Sequence, residues 1–286
     1  MVASGTDSLY KLRHRPPSDK LVDTGFRNLV MILALMVALI LLGIFLVVGG
    51  QAWQAMQAFG INFVFSSTWD PVRDVYGAFT AIYGTLLTSL LALVFAVPLG
   101  VGTAIFLTED FIGARVRSVI SNMVELLAAI PSVVLGLWAI FVLEPFIRPV
   151  LQFIHNVLGW IPFFSTNPSG PGVMPAVLIL TVMLLPIITA ISRDSLNQVP
   201  GDLRQAAYGV GATRWTAIMK VMIPAAISGI IGGIMLALGR AMGETMAVTM
   251  IIGNQTTFNI SWFAPGNTIA SLIANQFGEA GDLQMS

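Results

Sequence analysis

Long apolar runs alternate with short polar stretches along the whole chain, and the runs are too long for the core helices of a globular domain. Leu29 to Val48, Ala78 to Leu107, Ser118 to Leu143, Val173 to Ile191 and Met222 to Gly253 are each close to twenty residues or longer. About 20 residues of helix cross the ~30 Å hydrocarbon layer of a bilayer. The pattern therefore predicts an all-α polytopic membrane protein with five spans, at 28–49, 78–107, 118–143, 173–191 and 222–253. The first run exceeds a signal-peptide core and lacks an adjoining small-x-small cleavage site, so it is expected to stay in the protein.

The polar stretches complete the expected layout. Residues 1–27, with Pro16-Pro17, read as a solvated tail. Residues 50–77 carry Trp53, Phe59, Phe63, Phe65, Trp69 and Tyr76, the aromatic content of a segment lying at the membrane interface. Residues 144–172 are rich in Pro, Gly, Phe and Trp and read as a long loop with room for a re-entrant helix. Residues 192–221 form a polar loop, and the tail 254–286 holds no further membrane-length run. Pro98 with Gly100 and Gly102 predicts a kink in the second span, and Pro186 one in the fourth. In the third span Ser118, Ser121, Asn122, Glu125, Ala129, Ser132 and Gly136 share one helical face, small and polar against Leu and Val opposite. Glu125 lies near the start of that span. Two readings stand for it, a carboxylate at the membrane surface and one in a solute pathway.

Composition agrees with this and removes other classes. Side chains are 56% hydrophobic and 10% charged, and the formal net charge is zero, so nothing draws the chain to nucleic acid. Cysteine is absent, and His14 and His155 have no metal-ligand spacing. No GxxxxGK[ST] pattern occurs, so the chain has no P-loop and cannot supply ATP energy by that route itself. No HExxH, Ser/His/Asp or paired-Asp arrangement lies in the spans, which argues against an intramembrane enzyme. An ion-driven secondary transporter would need its own coupling carboxylates and an internal repeat; only Glu125 and Glu244 are available, and no repeat is visible.

Candidate chemistry concentrates at the end of the chain. Arg240 and Glu244 sit within the run 222–253, four residues apart and so on one helical face. A charge at mid-membrane costs about 2.5–3.5 kcal/mol on insertion scales, so it faces protein or water. Gly233, Ala237, Gly243 and Ala247 fill the rest of that face and would admit close neighbours. An arginine on a solute path suits an oxyanion, because its planar fork meets two oxygens and stays charged. The competing reading is an internal pair that makes the helix insertable and touches no solute. Ahead of this run, Asp202 is expected to cap a short helix from Leu203 to Tyr208, with Gly209 and Gly211 ending it. Thr213 is then expected to cap a second short helix through Lys220, and Pro224 to begin the next span. Ala206 and Ala207 would turn small side chains to a partner's groove, whereas the plainer alternative is an ordinary basic loop.

The order Gln205-Ala206-Ala207, Gly211, then Val221, Ile223 and Pro224 resembles the EAA…G…I-L-P loop of ATP-binding-cassette importer permeases, with Gln205 where glutamate is usual. IYGTLLTSLLALVFAVPLGVGTAIFLTED (82–110), ELLAAIPSVVLGLW (125–138), RDSLNQVP (193–200) and LGRAMGETMAVTMIIGN (238–254) are similar to phosphate-specific permeases of the PstC type. The resemblance implies a MetI-like helical bundle and a coupling loop, 203–224, that docks on an ATPase. It implies as partners a homologous PstA-type permease and two PstB-type ATPases that hold ATP and Mg, with no cofactor in this chain. A periplasmic or lipid-anchored phosphate-binding protein completes the implied set, in a bacterial inner membrane. Arg240, Glu244 and Glu125 become candidate pathway residues, and Gln205, Ala206, Ala207, Gly211 and Pro224 candidate coupling residues. The family has a sixth span that this sequence does not reach.

Basic residues set the orientation. With the N-terminus inside, the inner side holds Lys11, Arg13, Arg15, Lys20, Arg27, Arg115, Arg117, Arg193, Arg204, Arg214 and Lys220, against Arg73 and Arg148 outside. The positive-inside rule places the N-terminus in the cytoplasm and the 254–286 tail outside. In the cysteine-free background, a cysteine introduced into that tail is expected to react with an impermeant maleimide on intact cells. Labelling only after lysis would reverse the topology.

Overall fold

The computed structural model describes residues 17–73, 75–109 and 111–279; residues 1–16 of the expected 1–27 tail, Asp74, Asp110 of the charged loop and residues 280–286 lie outside the described residues. Helix α1 is Pro17–Phe59, longer at both ends than the 28–49 span expected for it. No proline follows Pro17 until Pro71, so nothing breaks the helix, and Gly60 ends it with φ +60°. Through Ala58 this helix is a compact unit of its own, and its apolar side chains are exposed, as a lipid-facing span requires.

From Phe59 onward the described chain forms a second unit. A single turn, α2 (Asn62–Phe65), precedes α3 (Phe79–Thr108), α4 (Ala114–Ala129), α5 (Ser132–Trp138) and α6 (Glu144–Leu158). Then come α7 (Val173–Asn197), α8 (Gly201–Gly209), α9 (Arg214–Ala217), α10 (Ile223–Met242), α11 (Met246–Ile251) and α12 (Ile269–Gln276). Among the described residues five helical stretches are long and apolar enough to cross a membrane: Val22–Phe59, Phe79–Thr108, Ser132–Leu158, Val173–Asn197 and Arg214–Met242.

The third of these departs from the expected 118–143 and 144–172. Ile130 is extended (ψ 126°) because the ring of Pro131 disfavours a helical residue before it, so α4 stops there. The membrane-length helix begins at Ser132 and runs through the supposed loop to Leu158. Pro145 does not end it, because the five residues Ala139–Leu143 form a π-turn just ahead. A wider ring there relieves the missing N–H and the bulk of the proline. The same device recurs at Ile218–Met222 ahead of Pro224, so Pro224 lies inside one continuous helix from Arg214 to Met242 and does not open a span.

α7 is the centre of the second unit, with two thirds of its most apolar window buried. On α3, Ala92, Ala96, Gly100 and Ala104 recur every four residues and are buried. A Cβ at Gly100 would come within 2.8 Å of the Ile188 side chain, so the two backbones approach closely. Thr181 and Thr189 donate across this seam to the carbonyls of Ala92 (3.4 Å) and Gly100 (3.2 Å). On the other side of α7, Gly229 of α10 lies against Ser195, and Gly233 lies against Ile191. Gly232, between them in the chain, faces open space.

The 252–268 segment folds back over the start of α7. Gly172 N–H donates to the Ile251 carbonyl, Val173 N–H to Ala264 and Met174 N–H to Trp262, supplying acceptors that a helix start lacks. A capping box at Thr268 and Ser271 begins α12. Trp69 Nε1 donates to Gln276 Oε1 at 2.8 Å, and Trp69 and Phe59 both meet Tyr76 edge to face. Part of the aromatic content expected at the lipid interface is thus packed inside the protein. A Cβ on Gly84 would overlap the Asn267 carbonyl beneath this cap. Gly84→Ala is therefore expected to destabilise by roughly 1–3 kcal/mol, read as a lower melting midpoint in detergent, while Gly232→Ala leaves the midpoint in place. Equal effects would contradict the packing.

Candidate functional site

Charged residues collect where α4, α7 and α10 meet. Arg240, exposed on the last turn of α10, lines a cavity of about 100 Å³ with Leu127, Ala128, Ile130, Leu135, Met183 and Ile187. A second cavity of about 200 Å³ shares Ala128 and Ile187 with the first and carries Ser121, Glu125 and Arg193. Arg193 Nη1 donates to Ser121 Oγ at 2.5 Å, and Ser121 Oγ donates to Glu125 Oε1 at 3.2 Å. Arg193 reads in the sequence as a loop cation. It sits here because α7 continues to Asn197 and carries it within reach of α4.

Two sequence expectations about this face change. The α4 face is divided by the break at Ile130–Pro131: Ser121 is buried and Glu125 exposed, while Gly136 belongs to α5 and packs on Ala247 and Met250 of α11. The Arg240–Glu244 pair does not form. α10 stops at Met242 with Gly243 as its cap, so Glu244 leaves the helical path and i,i+4 geometry no longer applies. Glu244 Oε1 instead accepts the Ala247 N–H at 3.3 Å, at the start of α11, where a carboxylate meets the unfilled donors of a helix. Among the described residues no hydrogen bond or ion pair joins Arg240 to Glu244.

The second feature is the α8–α9 elbow. α8 begins at Gly201, with Asp202 in its first turn and not at its cap. Gly211 adopts φ +83°, Gly211 N–H donates to the Tyr208 carbonyl, and Thr213 Oγ1 accepts the Thr216 N–H at 3.2 Å. Gln205 and Ala206 are exposed, whereas Ala207 is buried and cannot face a partner. Val210, at the tip, is 87% exposed. Arg204 turns inward to Glu109, with Nη2 2.8 Å from Oε1.

One further charged pair was missed because its residues were placed in a loop. Arg148 donates through Nε and Nη2 to both oxygens of Glu144, at 2.8 and 2.6 Å, with Glu144 buried. The i,i+4 spacing was the available signal.

The geometry is that of an interrupted helical bundle with cations in cavities and an elbow at one end. Residues 96–275 match the family model described as "Binding-protein-dependent transport system inner membrane component". The chain is 44% identical over 93% of its length to the phosphate transport system permease protein PstC of Mesorhizobium japonicum, covering 83% of that protein. It is 42% identical over 93% of its length to the PstC of Haemophilus influenzae, covering 85%. Among solved structures, the MetNI methionine ABC transporter in an inward-facing form aligns with 72% of this chain and 82% of its own at a TM-score of 0.48 and 20% identity. On the family match and these relatives, the chain belongs to the inner-membrane components of binding-protein-dependent transport systems, and within them to the PstC-type permeases.

Proposed function

We propose that this chain is the permease subunit of an ATP-driven importer of inorganic phosphate, forming half of the translocation pathway. The observation that carries the proposal is Arg240. It lines a cavity that shares Ala128 and Ile187 with the Glu125–Arg193 cavity, and among the described residues no carboxylate lies within ion-pair distance of it. An oxyanion leaving water for a low-dielectric path needs a compensating cation, and an arginine presents one in a two-pronged form. Glu125, which accepts from Ser121 in the adjoining cavity, and Glu244, beyond the end of α10, are the further pathway residues. Glu244, with one oxygen held by α11, accepts the hydrogen of monoprotonated phosphate, a donor that sulfate lacks at neutral pH.

Energy comes from elsewhere. Gln205, Ala206, Gly211 and the Val210 tip dock on a cytoplasmic ATPase that binds ATP and Mg, one of two PstB-type copies. Ala207 supports α8 from within, and Pro224 stiffens the helix that carries the elbow into the membrane. A PstA-type permease supplies the other half of the path, and a periplasmic or lipid-anchored phosphate-binding protein delivers the anion. The setting is a bacterial inner membrane with the N-terminus in the cytoplasm. The convergence of Arg117, Arg204 and Arg214 at one end of the second unit supports that orientation. So does Arg148, which pairs inside a helix and does not count as an outer loop charge.

Two outcomes test the reading. Arg240→Gln is expected to leave the permease–ATPase complex assembled and to lower labelled-phosphate uptake in proteoliposomes by at least about tenfold, the loss of one charged hydrogen-bonding partner. Loss of assembly would make Arg240 structural, and uptake without ATP would favour an ion-coupled transporter. Gly211→Val places a β-branched residue at φ +83°, a strain of about 1–2 kcal/mol. It is expected to reduce co-purification of the ATPase while the permease stays monodisperse; unchanged co-purification would remove the elbow from the docking surface.

A further inference from the structure

The elbow is joined to the membrane helices by more than the chain itself. Glu109 follows the last turn of α3, and its side chain is 7% exposed. Its carboxylate meets Arg204 of α8 at 2.8 Å, 95 positions along the chain. Its carbonyl accepts Arg117 Nη2 at 3.3 Å and the Phe111 N–H at 2.8 Å, which draws in the start of α4. Two residues on, the Phe111 ring lies 5.4 Å from the Arg214 guanidinium carbon of α9. The end of α3 is therefore held to both arms of the elbow.

This matters because α3 and α7 are bound into one body. The Ala/Gly seam at 92–104 and the threonine bonds to Ala92 and Gly100 leave no room for sliding between them. A push on α8 reaches α7 through the short turn at 198–200 and reaches α3 only through contacts. The Arg204–Glu109 pair is the ion pair that joins α8 to the end of α3: Glu109 is buried, so parting it from Arg204 strands a carboxylate away from water. We infer that Glu109 and Arg204 form the tie that transmits movement of the ATPase-docking helix to α3, so that α3 and α7 shift together. They are positioning residues, since neither touches solute. The inference rests on the proposed coupling role of the elbow.

The experiment uses the complete importer in proteoliposomes, with ATP hydrolysis and labelled-phosphate uptake measured in the same vesicles. Wild-type vesicles must show ATP-dependent phosphate uptake; if they do not, the proposed function fails and not the tie. Given that, Glu109→Gln is expected to keep hydrolysis within about twofold of wild type and to lower phosphate moved per ATP at least fivefold. The exchange Glu109→Arg with Arg204→Glu is expected to recover at least half of the wild-type ratio. An unchanged ratio in assembled Glu109→Gln overturns the proposal, as does an assembled exchange variant that stays as uncoupled as the single one. Should Glu109→Gln fail to assemble, the neutral pair Glu109→Gln/Arg204→Gln, which leaves no buried charge unmatched, takes its place under the same two criteria for the ratio. If the neutral pair also fails to assemble, the contact is a structural clamp and the proposal falls.

Discussion

Close backbone approach around α7 is the constraint on which the rest depends. In lipid there is no hydrophobic gain from bringing two apolar helices together, so association relies on contact and hydrogen bonding between them. α3 meets α7 through Ala92, Ala96, Gly100 and Ala104, and α10 meets it through Gly229 and Gly233. These small residues let three helices lie near enough for Thr181 and Thr189 to donate to α3 carbonyls. With α7 held between them, Arg193 is carried to α4 and Arg240 to its cavity. The elbow stands at the end of the same three-helix body. Larger side chains along either seam would separate the charges from one another before they altered any single span.

Much of this was legible in the sequence, and the reason is local. Five membrane-length apolar stretches follow from run length alone, and their number is recovered in the structure. The elbow was legible because glycine at a positive φ and threonine at a cap are local signals: Gly211 and Thr213 do what their types predict. Boundaries were less so. Prolines at 145 and 149 read as a loop, since a π-turn that tolerates Pro145 has no sequence signature of its own. Pro131, in contrast, read as part of a continuous span and breaks one. The Arg240–Glu244 expectation failed for the same reason. It assumed unbroken helix across Gly243, where the lost entropy of glycine and the capping gain of Glu244 favour an end.

The long-range ties were not legible at all. Glu109 with Arg204 and Ser121 with Arg193 join residues far apart in the chain, and no spacing rule reaches that far. Glu144 with Arg148 was within reach of the i,i+4 rule, but assigning 144–172 to a loop concealed it. Pattern reading finds elements and local caps. Contacts between elements depend on which faces meet, and those are set by where the helices stop.

The stops themselves explain why the candidate pathway lies where it does. A helix that ends within a bilayer leaves backbone groups unfilled, which lipid cannot satisfy, so breaks are tolerated only next to protein or water. The break after Ala129 and the break after Met242 are brought together, because α5 and α11, which follow them, pack through Gly136 against Ala247 and Met250. Ile130, at the first break, and Arg240, just before the second, line one cavity. Lipid is thus the wrong neighbour for this cavity on two grounds, the freed backbone and the guanidinium. Glu125 lies a turn before one break, and Arg240 and Glu244 lie on either side of the other. Two helix ends brought to one cavity set Arg240 among Leu127, Ile130, Leu135, Met183 and Ile187, and the guanidinium is the one charged group among the residues that line it.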